Sequence, residues 1–149
     1  MTDLLLAIAH HLAVFSLVAI LAAEFAILRR GVKGTRVALL GTVDLFFGAT
    51  AAVVLVVGFL RVFYGAAGPD YYLFNWVFWA KVGAFVLVGL LSLPPTLVFF
   101  RWRREALVNP DFSPPDDGVN RVRRFMLAEA VVLASIPVFA AMMARGYGL

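Results

Sequence analysis

"NWVFWAKVGAFVLVGLLSLPPTLVFF", residues 75–100, is an apolar run holding one full positive charge, Lys81. Its length decides the fold, because about 20 apolar residues in a helix cross roughly 30 Å of hydrocarbon. Lysine is seldom buried without a partner in water-soluble proteins, and in a membrane it is costly enough that it usually has a task. The chain has four such blocks, over about residues 4–28, 37–63, 73–100 and 122–144. It is 63% hydrophobic and only 15% charged, with a mean hydropathy of +0.94. A soluble domain of this size needs far more polar surface. The expected fold is an all-α membrane protein: one domain over residues 1–149, a four-helix transmembrane bundle running up-down-up-down. Only Asp3 precedes the first block, which is too long and lacks the leading positive charge of a signal peptide. It is therefore expected to be a mature helix.

The chain has no cysteine. Disulfides, thiolate metal sites, iron–sulfur clusters and covalently attached haem are excluded. The net charge of +4 reflects arginines in loops, and no nucleic-acid partner is expected. The first loop, "RRGVKGTR", and the third, "RWRREALVNPDFSPPDDGVNRVRR", are strongly basic, whereas the second, "RVFYGAAGPDYY", has only Arg61, offset by Asp70. Positive charge marks cytoplasmic loops, so both termini are expected outside. "YYLFNWVFW" then forms an outer aromatic belt. The Pro- and Asp-containing centre of the third loop is expected to be a flexible turn.

At about 1.5 Å per residue, each intramembrane polar group acquires a depth. His10, His11 and Lys81 fall in the outer third, and Glu24, Asp44 and Glu129 in the inner third. Glu24 follows His10 by fourteen residues, about 40° short of four turns, so the two share a face and His10 is the inward histidine. His11 turns about 100° away, which suits a lipid-facing or interfacial position. Asp44 is expected on a close-packing stripe of Gly41, Gly48, Ala51, Ala52 and Gly58. Lys81 shares a face with Ser92 and Pro95, and Glu129 shares one with Leu133, Ile136, Ala140 and Met143. The structural alternative is that the carboxylates pair with Arg36 or Arg124 and only register the helices. Arg61 and Arg145 read as interfacial anchors. Pro94, Pro95 and Pro137 are expected to bend helices and free carbonyls for Ser92 or Thr96.

An inward imidazole and an ammonium at one depth can hold a ligand that offers both a metal and a carboxylate. A b-type haem fits, with imidazole to iron and the cation to a propionate. His10 is the candidate metal ligand. The candidate cofactor-binding residues are His10, Lys81, Met143 and His11, and the candidate catalytic groups are Lys81 and Asp44. Two adjacent histidines cannot sandwich one iron, so a second axial ligand falls to Met143, Lys81, water or a second subunit.

"AIAHHLAVFSLVAILAAE" and "WVFWAKVGAF" resemble the HemJ-type protoporphyrinogen oxidases. That resemblance implies a histidine early in the first helix, here His10, paired with a lysine early in a later helix, here Lys81. It also implies bound haem b. Across most of its length the chain resembles an uncharacterised bacterial family of predicted four-helix membrane proteins. The elements that carry this are "HH", "VDLFFG", "GFLRVFYG", "FWAK", "LLSLPPT" and "FFRWR". It implies a multi-pass protein of the bacterial inner (cytoplasmic) membrane.

The leading expectation is a haem b or porphyrin-binding redox protein, an oxidoreductase whose chemistry would be the cofactor's. Rossmann and P-loop signatures are lacking. The alternatives are a non-catalytic membrane assembly subunit and a small proton-coupled carrier built on Asp44, Glu129 and Lys81. The expected partners are the lipid bilayer, a second copy of the chain, and a quinone or porphyrin.

Overall fold

Leu, Ala, Val and Phe fill the first apolar block, and it folds as α1, Thr2–Ile27. The others give α2, Thr35–Tyr64, a short α3, Pro69–Leu73, then α4, Trp76–Val108, and α5, Asp116–Ala144. The computed structural model describes residues 1–148, so Leu149 of the expected domain lies outside the described residues. Among the described residues all regular structure is helical, and four helices are long and apolar enough to cross a membrane. The molecule is a four-helix transmembrane bundle.

Helix ends depart from the hydropathy boundaries where the chain leaves the apolar zone. α4 runs on through "RWRREALV" to Val108, because Arg, Glu, Ala and Leu are good helix formers wherever water satisfies their side chains. Its start is fixed by Asn75, whose side-chain oxygen accepts from the N–H groups of Val77 at 2.9 Å and Phe78 at 3.4 Å. α5 begins six residues before the expected boundary, with Asp116 and Asp117 in its first turn, where acidic groups complement the helix dipole.

α1 packs on α2, α2 on α4 and α4 on α5, while α1 and α5 meet over only a short stretch. The core is a seam of side chains from all four long helices, including Leu17, Leu40, Phe99 and Met126. Leu4, Leu12, Phe15, Phe46 and Leu97 are exposed on the outside. Lipid tails are as apolar as these residues, so close packing rather than water exclusion holds such helices together.

Three packing expectations are corrected. Gly48 and Ala52 are exposed, with nothing within 4 Å of a Cβ built at Gly48. The inward line of α2 runs instead through Gly41, Asp44, Phe47 and Val54. Ala140 is likewise exposed, and Phe139 carries the inward line of α5 toward Met143. The hydroxyls near Pro94 and Pro95 do not take the freed carbonyls: Ser92 donates to Gly89 O at 2.8 Å and Thr96 donates to Asp44.

Each end of the bundle is tied. At the arginine-rich end, Gly34 N donates to Phe112 O at 3.0 Å and Ser113 Oγ to Val32 O at 3.1 Å. A Cβ at Gly34 would collide with the Pro110 carbonyl. Its φ of 49° is also a conformation that glycine adopts readily. The third loop, expected to be a flexible turn, is thus clasped to the first by hydrogen bonds. At the opposite end, α5 and the residues after it are tied to α3 and to the start of α4: Tyr71 Oη donates to Met143 O at 2.6 Å and Asn75 Nδ2 to Tyr147 O at 3.1 Å.

Candidate functional site

Charged side chains inside the bundle form two groups. Toward the end that holds the termini, α1 and α5 separate, and the gap is an apolar groove with a cavity of about 360 Å³. Its α1 wall runs from His10 through Val14, Leu17 and Leu21 to Phe25, a length of about 22 Å at the helical rise. Val54 and Gly58 of α2, Phe78, Lys81 and Phe85 of α4, and Ala130 to Pro137 of α5 complete it.

His10 and Lys81 both line this groove. The imidazole is seated on α2 at Gly58, where an added Cβ would lie 3.3 Å from His10 Cε1. Nδ1 of His10 is buried with no hydrogen-bond partner among the described residues. The Lys81 ammonium stands 5.6 Å from the centroid of the Phe78 ring, within cation–π range. A third basic group, Arg61, acts electrostatically on both His10 and Lys81. Its Nε is buried and also lacks a partner among the described residues. Arg61 was expected to be an interfacial anchor. The overlooked signal was its spacing, three residues after Gly58 and seven after Val54 on the groove face of α2.

The other candidates lie elsewhere. His11 is exposed and donates from Nδ1 to the Ala7 carbonyl at 2.6 Å. Met143 is buried among Val62, Val77 and Phe78 and is not part of the groove wall. Asp44 belongs to the second group, toward the arginine-rich end, with Glu24 and Glu129.

These three carboxylates come from α1, α2 and α5 and are 3%, 4% and 2% exposed. Thr96 of α4 donates to Asp44 Oδ1 at 2.9 Å. The expected pairing with Arg36 or Arg124 is not made: both arginines are exposed, and Oε1 of Glu24 and of Glu129 is buried without a partner among the described residues. Arg123 is the arginine that reaches inward, and it donates to the carbonyls of Phe25, at 3.2 Å, and Leu28. It closes the end of α1.

The fold and these two groups define a class: a four-helix membrane protein with an apolar groove, lined by His10 and Lys81, that runs down to a layer of buried carboxylates. Residues 2–148 match the DUF2214 family of predicted membrane proteins, and the chain belongs to that family. It matches no curated protein and no solved structure.

Proposed function

We propose that the groove binds a hydrophobic ligand carrying an acidic group. The observation that carries this is that His10 and Lys81 line one apolar groove, with Arg61 near enough to act electrostatically on both. Like charges in a medium of low dielectric repel strongly, and an anion that enters with them offsets that cost. The walls leave the rest of the ligand in hydrocarbon, and the loose seam between α1 and α5 offers lateral entry from the bilayer.

Within this class the tetrapyrroles use every feature. The imidazole of His10 would hold the metal of haem b, and Lys81 with Arg61 would meet its propionates. His10 and Lys81 are the two positions on which the resemblance to HemJ-type oxidases rests. Haem would supply one-electron chemistry, exchanged with a quinone, and the protein's own part would be to hold and orient it. With the arginine-rich end on the cytoplasmic side of a bacterial inner membrane, the groove mouth lies in the outer leaflet half.

The test is the absorption spectrum and ligand content of the protein purified in mild detergent, before and after haem is supplied. His10→Ala abolishes a Soret-type band, and His11→Ala leaves most of it. Lys81→Met and Arg61→Met weaken retention of the chromophore in a folded bundle. A colourless preparation in which mass spectrometry finds a co-purified acidic lipid keeps the binding site but removes haem. A preparation that holds neither, with or without added haem, leaves the non-catalytic assembly subunit as the better reading.

A further inference from the structure

Glu24, Asp44 and Glu129 present a problem that the groove does not explain. They are almost fully buried, on three different helices. Carboxylate anions in a low-dielectric core repel one another, and each loses its hydration. Buried charge persists only when it is paired or neutralised.

Arginines at this end of the bundle make other contacts. From α5, Arg123 binds the Phe25 and Leu28 carbonyls. From α4, Arg103 lays its aliphatic stem on Gly41, one turn from Asp44. From the first loop, Arg30 donates to Asn120 Oδ1 at 3.3 Å. Among the described residues the only polar partner supplied is Thr96, and it serves Asp44 alone. Oε1 of Glu24 and Oε1 of Glu129 remain without partners among the described residues. A metal ion is an unsuitable occupant, because among the described residues no three acidic, histidine or cysteine side chains are spaced to hold one.

We infer that Glu24, Asp44 and Glu129 form a proton-binding site, in which buried carboxyl groups on α1, α2 and α5 are held in the protonated form. A protonated carboxyl carries no charge, so its burial without a partner costs far less than that of an anion. The site also has a place in the architecture. α1 and α5 touch little, and Glu24 and Glu129 belong to those two helices. Their neighbours Leu21, Ala22, Phe25 and Ala130 line the inner part of the groove. Protons held here leave α1 and α5 uncharged at the inner end of the groove, and their loss puts like charges on the two helices. The inference rests on the carboxylates alone and survives if the groove proves empty.

The experiment is infrared spectroscopy of the full chain in lipid nanodiscs at neutral pH, in H2O and D2O. The expected result is a carbonyl stretch of protonated carboxyl groups that shifts on deuteration. It weakens in Glu24→Gln and in Glu129→Gln, and is lost in the combined Glu24→Gln, Asp44→Asn, Glu129→Gln variant. Absence of that band in the folded wild-type protein overturns the inference, and so does a band that the substitutions leave unchanged. A band that disappears on addition of sodium or calcium, with a rise in thermal stability, overturns it in favour of a metal-ion site. The wild-type spectrum is decisive by itself if a variant fails to fold.

Discussion

The two ends of this bundle bury charge of opposite sign, and they pack around it differently. The carboxylates sit in a closed layer. Phe99 lies one turn from Thr96, Met126 one turn from Glu129, and both are fully buried. His10 and Lys81 line a cavity of about 360 Å³. Each group holds buried polar atoms without a partner among the described residues, yet the space beside it differs, and that space selects what can neutralise it. A tight layer admits a proton. A roomy apolar groove admits a large anion whose remainder is hydrocarbon. Fixed charge and free volume together say more about a ligand than either does alone.

Packing at the carboxylate layer gives the largest test. Phe99→Ala should cost about 3–5 kcal/mol, as deletion of a buried aromatic does when the site cannot collapse. Phe85→Ala, on the groove wall, should cost distinctly less, because the space it vacates joins a cavity already present. Thermal or denaturant unfolding in detergent compares the two. Equal losses would mean that the groove end is as closely packed as the carboxylate end, and the contrast would fail.

How far this was legible before the structure follows from which forces set each feature. The four spans could be read because the thickness of hydrocarbon dictates the length of each apolar run. The ends of α4 and α5 could not, since past the headgroups caps and helix propensity take over, as Asn75 and "RWRREALV" illustrate. Depth counting was enough to bring His10 and Lys81 to one groove, because rise per residue is nearly constant along a helix. It missed Arg61, whose position near a helix end suits a snorkelling anchor equally well. Facing was harder still. A stripe of small residues does not declare its neighbour, so Gly48, which points into open space, could not be told from Gly58, which seats His10.

That pair of glycines supplies a test of intermediate size. Gly58→Leu drives a side chain into the His10 ring, and overpacking of this kind costs about 1–3 kcal/mol. It should also displace whatever the groove binds, so ligand retention falls together with stability. Gly48→Leu, facing outward, should change stability by no more than about 0.5 kcal/mol. Chemical unfolding of both variants, with ligand content measured on the same preparations, reads the difference. Similar effects at both positions would undo the seating of the imidazole on α2.

The smallest expected effect is the most informative about the carboxylate layer. Thr96→Val removes the hydroxyl that donates to Asp44 Oδ1 while keeping the branched shape of the side chain. A hydrogen bond to a charged acceptor contributes about 1.5–3 kcal/mol, against about 0.5–1.5 for a neutral pair. If the layer is neutralised by bound protons, the loss in stability should fall in the lower range. Combining Thr96→Val with Asp44→Asn then gives a coupling energy of the same modest size. A loss in the upper range, with strong coupling, would mean that Asp44 carries its charge and leans on Thr96 for solvation. The protons would then be confined to Glu24 and Glu129, and the bond between α2 and α4 would be ionic in character rather than part of a neutral network.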